Sequence, residues 1–261
     1  MILHPAFVVQ AKKVCSCLLV LLIAIILKAF YSTADSEDLA WILGPTAWLT
    51  EQTSGLSYVP ELGVGWVNLE HMFVIAPGCA GVNFLIIAFC MSSFQGIFHK
   101  NGTGWLIGWP CMAGFAAYAV TLVANTARIW LSVISYRADI YSGWFTSEAA
   151  HRIVGVSVYY LFLCFYYQAV SFILNNEIKS ARQFETKHVH IVRLFVFIVP
   201  LFWYLLFSLG VPYVNNAYQL QPERFFEHMS SVVGISLLLT LILFFVSRIP
   251  VCVRLFIHKR D

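Results

Sequence analysis

The chain has 261 residues, of which 60% are hydrophobic and only 11% are charged, with a formal net charge of +3. Because a soluble domain carries about 25% charged residues, this composition excludes a soluble globular protein and predicts an integral membrane protein. The seven cysteines have no framework spacing, which argues against a disulfide scaffold or a metal site. We expect a lipid bilayer as a partner and no nucleic acid.

Six apolar segments are long enough to cross a membrane as helices, which takes about 20 residues each. In chain order they cover residues 14–31, 79–98, 105–125, 151–174, 194–213 and 231–248. The first is longer than the apolar part of a signal peptide, and no small-residue cleavage site follows it, so we expect a retained helix. The predicted fold class is an all-α polytopic membrane protein, with residues 1–261 forming a single membrane domain.

The Lys and Arg residues predict the orientation, because short cytoplasmic loops are enriched in them. With a cytoplasmic N-terminus, eleven of the sixteen Lys and Arg residues lie on the cytoplasmic side: Lys12, Lys13, Lys100, Lys179, Arg182, Lys187, Arg193, Arg248, Arg254, Lys259 and Arg260. The inverted topology places the same residues outside. We therefore expect both termini in the cytoplasm and segment 32–78, which has no Lys or Arg, on the outer face of the membrane.

Segment 32–78 is expected to form an external cap between the first and second spanning helices. Its first part, residues 39–50, carries Trp41 and Trp48 among aliphatic residues and is too short to span the bilayer. Tryptophan at this density predicts an interfacial helix. The second part, residues 58–77, alternates apolar residues with glycine and polar positions, which favours a short extended hairpin.

Cys79 lies in the sequence Pro-Gly-Cys-Ala-Gly-Val-Asn of residues 77–83, where the cap ends and the second apolar helix begins. Unpaired N–H groups and the positive dipole end of a helix favour a thiolate over a thiol at this position. The pattern therefore predicts a nucleophile. The alternative is a cysteine that serves as a small apolar residue, as we expect for Cys90, Cys111, Cys164 and Cys252.

The predicted topology brings two further residues to the same membrane face. Arg128 follows the third helix, and His151 opens the fourth helix from outside. A thiol nucleophile needs a base within hydrogen-bond reach, and a fixed guanidinium supplies donors to a developing oxyanion. The alternatives are a helix-end histidine without a role and an arginine that anchors at the interface, as expected for Arg137, Arg152 and Arg224. His71, in the external segment, competes with His151 as the base.

Four more residues are expected to support the site or to bind substrate. Asn125 precedes Arg128 by one turn and is placed to orient Arg128 or the substrate. Gly155 follows His151 by one turn and allows helices to approach closely. The other two, Gly81 and Asn83, belong to the sequence around Cys79.

Three short motifs resemble those of the exosortase/archaeosortase family. They are Pro-Gly-Cys-Ala-Gly-Val-Asn at 77–83, Asn-Thr-Ala-Arg-Ile at 125–129 and His-Arg-Ile-Val-Gly at 151–155. The sequence Gly-Pro-Thr-Ala-Trp at 44–48 and the apolar run at 84–89 look most like the exosortase K branch. The resemblance covers residues 40–160 and differs from many exosortases in having Ala80, where they have serine.

This resemblance implies a membrane-embedded cysteine transpeptidase or protease of a prokaryotic plasma (inner) membrane, with residues 79–160 as its catalytic core. Cys79, Arg128 and His151 correspond to the family's catalytic residues. The implied substrate is a membrane-anchored protein that ends in a short motif, a transmembrane helix and a basic tail, of the PEP-CTERM kind. We expect a thioester intermediate on Cys79 and neither a metal ion nor an organic cofactor.

Two other functions compete with this interpretation. A non-enzymatic transporter or scaffold would carry charges near the bilayer midplane, whereas the one basic candidate, Lys28, lies near a helix end where its amine can reach the interface. An acyl transferase acting on lipid or glycan would be indicated by a His–Asp pair, and no such pair stands out in the sequence.

Overall fold

The structure, a computed structural model, describes residues 5–70, 73–138, 141, 146–179 and 189–247. Most of these residues are helical: α1 (Pro5–Thr33), α2 (Ala40–Ser54), α3 (Val82–His99), α4 (Thr103–Arg137), α5 (Ser147–Lys179), α6 (Val189–Leu205), α7 (Val211–Val214), α8 (Ala217–Leu220) and α9 (Pro222–Val246). A 3₁₀ turn, Pro77–Cys79, precedes α3, and a π-helical turn, Leu206–Gly210, joins α6 to α7.

Within this described part of the chain, six helical segments are long and apolar enough to cross a membrane: Phe7–Thr33, Pro77–His99, Thr103–Arg137, Ser147–Asn175, Val196–Val214 and Pro222–Val246. Each overlaps one predicted segment, so the all-α polytopic membrane fold is confirmed. Most of them are longer than predicted. Hydropathy detects only the apolar stretch, whereas the backbone hydrogen bonds of a helix continue through polar residues.

The longest helix, α4, corrects the predicted position of Arg128. Its 35 residues extend about 52 Å at about 1.5 Å per residue, well beyond the about 30 Å of bilayer hydrocarbon. The prediction that Arg128 follows the third spanning helix is wrong. It lies inside α4, about 2.5 turns before the end at Arg137. The guanidinium is therefore attached to a regular helix, which holds it more rigidly than a loop would.

The centre of the bundle is α3, which packs against α1, α4 and α5 and is largely buried. Its contact with α4 is close at Gly96, where an added Cβ would lie 2.0 Å from the indole nitrogen of Trp109. That nitrogen donates a hydrogen bond to the carbonyl oxygen of Ser92 at 2.8 Å. In contrast, α1 and α9 expose large apolar side chains, among them Ile25 and Phe245. Helices with such faces are stable in lipid because their backbone groups are all paired internally.

The segment between α1 and α3 contains α2 and an antiparallel sheet of β1 (Val59–Glu61), β2 (Gly65–Asn68) and β3 (Phe73–Ile75), in the order β1-β2-β3. The predicted hairpin is thus part of a three-stranded sheet, in which Trp66 pairs with both Pro60 and Ile75. Helix α2 packs on α4 and extends four residues beyond the predicted segment. The Tyr118 hydroxyl of α4 donates a hydrogen bond to the carbonyl oxygen of Trp41 at 2.7 Å.

Candidate active site

Cys79 is the last residue of the 3₁₀ turn, three positions before α3 begins at Val82. Its backbone N–H donates to the carbonyl oxygen of Ala76 at 2.7 Å, so it is not one of the unpaired N–H groups of a helix N-terminus. The prediction that Cys79 opens the helix is therefore wrong. The physical reason is Gly81, whose φ of +73° is left-handed and separates the turn from the helix.

Gly81 also brings the Cys79 turn close to α4 and α5. A Cβ at this position would lie 3.2 Å from the hydroxyl of Tyr159, 3.3 Å from Cγ2 of Thr121 and 3.4 Å from Cγ of Asn125. Contacts this short, together with the left-handed φ, disfavour a side chain, because its neighbours would have to shift and its backbone would be strained. The absence of a side chain at Gly81 therefore allows the turn to lie directly against the helices that carry Arg128 and His151.

A chain of hydrogen bonds connects the backbone of Cys79 to Arg128. The side-chain amide of Asn125, which is fully buried, donates to the carbonyl oxygen of Cys79. The hydroxyl of Tyr159 donates to Oδ1 of Asn125 at 2.9 Å and accepts a hydrogen bond from Nη1 of Arg128 at 3.2 Å. The predicted role of Asn125 in orienting Arg128 has a structural counterpart here, because one hydroxyl bridges the two side chains.

Arg128 contacts His151 directly, with 2.6 Å between Nη2 and the ring nitrogen Nε2. Since a guanidinium can only donate, Nε2 must be the acceptor, and the proton of the neutral imidazole lies on Nδ1. Nδ1 is 3.4 Å from Oγ of Ser132. That hydroxyl donates to the carbonyl oxygen of Arg128 at 2.9 Å, which leaves its lone pairs free to accept. The partners of both nitrogens thus specify one tautomer of His151.

The side chain of Arg128 packs against α5 at Gly155, which has no side chain to block it. A Cβ at Gly155 would lie 3.2 Å from Nε of Arg128. Since α5 carries both His151 and Gly155, one turn apart, the guanidinium crosses α5 at the glycine and meets the histidine beside it. The close helix approach predicted for Gly155 is therefore an approach of α5 to the side chain of Arg128.

Two cavities meet at His151. The first, which we name the thiol cavity, has a volume of about 240 Å³ and is lined by Cys79 and His151 together with Ser132 of α4 and Phe73 of β3. The second, which we name the cationic cavity, has a volume of about 330 Å³ and is lined by Lys28, Asn83, Arg128, His151, Arg152 and His228, among others. His151 contributes to the wall of both cavities.

The structure brings most of the predicted site residues together: Cys79, Gly81, Asn125, Arg128, His151 and Gly155. Asn83 has a different position, because its Oδ1 accepts a hydrogen bond from Nζ of Lys28 at 2.8 Å and it lines the cationic cavity. Cys90 and Cys164 are buried in the apolar core, as predicted. His71 and Cys252 lie outside the described residues.

Tyr159, which sequence reasoning missed, is the residue that bridges Asn125 and Arg128. A signal was present, since residues 151, 155 and 159 are spaced by four and therefore share one face of a helix. Its ring also stacks on Phe84 of α3, with 5.0 Å between ring centroids. The ring of Tyr159 is thus fixed by packing, and its hydroxyl is hydrogen-bonded to both Asn125 and Arg128.

We expect Tyr159→Phe to slow turnover by about tenfold, because it removes two hydrogen bonds of about 1 kcal/mol each and leaves Asn125 and Arg128 without their common partner. The measurement is the cleavage rate of a membrane-anchored substrate, with thermal unfolding measured in parallel. Tyr166→Phe is the matched control, since its hydroxyl is on the same helix and bonds the carbonyl oxygen of Ala113 instead. Equal rates for the two variants would contradict a positioning role.

In the part of the chain that the structure describes, no three His, Cys, Asp or Glu side chains are grouped so that they could hold a metal ion. The hydrogen-bond chain that starts at Cys79 contains an amide, a hydroxyl, a guanidinium and an imidazole, and of these the imidazole is the group that exchanges a proton near neutral pH. The chain has no match among models of known protein families, among curated proteins or among solved structures.

Proposed function

We propose that this protein is a membrane-embedded cysteine transpeptidase or protease that forms a thioester with its substrate. The observation that carries the proposal is the thiol cavity, which Cys79 and His151 line together, with Arg128 bonded to His151 at 2.6 Å. A nucleophile, a proton acceptor and a donor for an oxyanion are the groups that acyl transfer requires. The resemblance of the three motifs to those of exosortases favours the same three residues.

The reaction begins with attack of the Cys79 sulfur on the scissile carbonyl carbon, while the thiol proton passes to Nε2 of His151. Arg128 holds that nitrogen in the free protein, so its guanidinium moves to the developing oxyanion as the substrate binds. When the tetrahedral intermediate collapses, the C–N bond breaks and His151 returns the proton to the leaving amine. Water, or the amine or hydroxyl of an acceptor, then attacks the thioester, gives its proton to His151 and releases Cys79.

The substrate we propose is a membrane-anchored protein with a C-terminal sorting motif, a transmembrane helix and a basic tail. Its helix packs laterally against the bundle, and its motif enters the thiol cavity at the outer face of the membrane. Segment 32–78 acts as the external cap, which is supported by Phe73 and Ile75 of β3 in the wall of that cavity. In this arrangement the protein is in a prokaryotic plasma (inner) membrane, with both termini in the cytoplasm.

A covalent adduct on Cys79 tests the function. The chain is coexpressed with a membrane protein that ends in the motif, helix and basic tail, denatured without thiols, and analysed by mass spectrometry. We expect an adduct on Cys79 that matches the N-terminal part of the substrate and that hydroxylamine removes, as it does from a thioester. A fatty acyl or glycan adduct supports the acyl transferase instead, and substrate transport without any adduct supports the transporter.

The orientation is tested by labelling introduced cysteines from outside. Leu62→Cys places a thiol in the exposed turn of segment 32–78, and Asn101→Cys places its control in the loop between α3 and α4. Both are made after replacement of Cys79 and of the exposed Cys15 and Cys111 by alanine. On intact cells we expect a membrane-impermeant maleimide to label only Leu62→Cys. Labelling of Asn101→Cys alone would invert the topology and place Cys79 on the cytoplasmic face.

A further inference from the structure

The cationic cavity contains more positive charge than its protein partners balance. Lys28 of α1, Arg128 of α4 and Arg152 of α5 all line it, and so does His228 of α9. Among the described residues that form its wall, none is Asp or Glu. We propose that this cavity is a binding site for a phosphate group, supplied either by a lipid headgroup or by free phosphate.

Two of the cations have only neutral partners. Lys28 donates to Oδ1 of Asn83 at 2.8 Å, and Arg128 donates to Tyr159 and His151. Over the described ranges, no carboxylate lies within 4.0 Å of Lys28 or Arg128. Partly buried cations without a counter-ion are costly in free energy, because water no longer solvates them fully. A bound anion would offset that cost.

Arg152 has two carboxylate partners, both of which contact its Nη1. Glu227 accepts from its Nη1 at 2.6 Å, and Glu148 is 3.8 Å away, while neither carboxylate lines the cavity. Nε of Arg152 and Nε of Arg128 are both buried, and neither has a hydrogen-bond partner within the described part of the chain. These two unpaired charged N–H groups add to the free-energy cost that a nearby anion would offset.

The number of the donors favours phosphate over a carboxylate. A phosphate monoester has three acceptor oxygens and a charge near −2, and a phosphodiester headgroup has one full negative charge. The basic residues come from three separate helices, and Tyr31 and Ser208 also line the cavity. A carboxylate presents its two oxygens in one plane and can satisfy fewer of these donors at once.

The position of His151 in both cavities places a bound phosphate beside the candidate catalytic residues. A role for this phosphate in the reaction at Cys79 rests on the proposed function, whereas the binding itself does not. The binding experiment therefore uses Cys79→Ala as the parent protein. Because Cys79→Ala has no nucleophile, phosphate binding is measured without the proposed reaction. Failure of the proposed reaction therefore does not change the binding result.

The probes are inorganic phosphate and phosphatidylglycerol. Inorganic phosphate is titrated calorimetrically into the full chain in nanodiscs of phosphatidylcholine, against chloride at equal ionic strength. Lipid retention is measured by native mass spectrometry after release from nanodiscs that contain both lipids. Lys28→Met and Arg152→Gln are the test variants, Lys28→Arg keeps the charge, and Lys13→Met is the control on the same helix, about 22 Å along α1 from Lys28.

We expect one of the two probes to bind, and Lys28→Met and Arg152→Gln to weaken its binding by about tenfold or more. Lys28→Arg and Lys13→Met should bind as the parent does. Binding of inorganic phosphate identifies the free anion as a ligand, and selective retention of phosphatidylglycerol identifies the lipid headgroup. Binding of neither probe, or binding that is unchanged in both test variants while circular dichroism shows a folded chain, overturns the proposal.

Discussion

Replacement of Cys79 by alanine should abolish processing of a membrane-anchored substrate and leave the protein folded. The covalent route has no nucleophile in this variant, and losses of about 10⁶-fold follow removal of a covalent nucleophile in other hydrolases. Cys79→Ser should be inactive as well, since its oxygen is a poorer nucleophile in a site arranged around sulfur. The measurement is the gel mobility of the coexpressed substrate over time, with circular dichroism of the purified variant.

The other cysteines supply the controls for this experiment. Cys111 is exposed on α4, so Cys111→Ala should change neither folding nor processing. Cys90 and Cys164 are buried, and their alanine variants should at most destabilise the fold without loss of the reaction. Full processing by Cys79→Ala would remove the nucleophile from the proposed mechanism and leave the transporter and the lipid or glycan acyl transferase as the functions to test.

The second large effect is expected for Arg128→Lys, which keeps the charge but loses the planar set of donors. In the structure, two different nitrogens of this guanidinium bond Tyr159 and His151. A single ammonium on a flexible stem cannot keep the bond to Tyr159 and also present paired donors to an oxyanion. Turnover should therefore fall by about 100-fold or more, as it does when one oxyanion donor is removed. The measurement is the initial rate of substrate cleavage.

Arg137→Lys is the matched control, because Arg137 is exposed at the end of the same helix. Interfacial anchoring needs only a cation on a flexible stem, so this variant should keep the wild-type rate. A wild-type rate for Arg128→Lys would reduce Arg128 to a general electrostatic role. A wild-type rate for Arg128→Ala would remove it from the site, and the mechanism would need another oxyanion donor, which the N–H of Ala80 cannot supply while it donates to the carbonyl oxygen of Pro77 at 3.0 Å.

The six spanning helices could be predicted from the length and position of the apolar segments. Lipid provides no partners for backbone N–H and C=O groups, so a long apolar segment must pair them internally as a helix. The candidate residues could be predicted from residue type and spacing, because few side chains can act as nucleophile, base and oxyanion donor. Hydropathy could not predict the ends of the helices. Helix α4 continues past Arg128, and the helix before Val82 is interrupted at Gly81. Both features depend on backbone dihedral angles and hydrogen bonds, which cannot be calculated from the hydropathy of a segment.

The sequence by itself determined the membrane fold, the order of Cys79, Arg128 and His151 along it, and the resemblance to exosortases. Only the tertiary structure decided which polar groups meet. Tyr159 of α5 bridges Asn125 and Arg128, which are both on α4. Lys28 of α1 bonds Asn83 of α3, which is 55 positions away in the chain. Such contacts depend on how helices rotate and cross when their buried faces pack, and a local pattern of residues does not encode that arrangement.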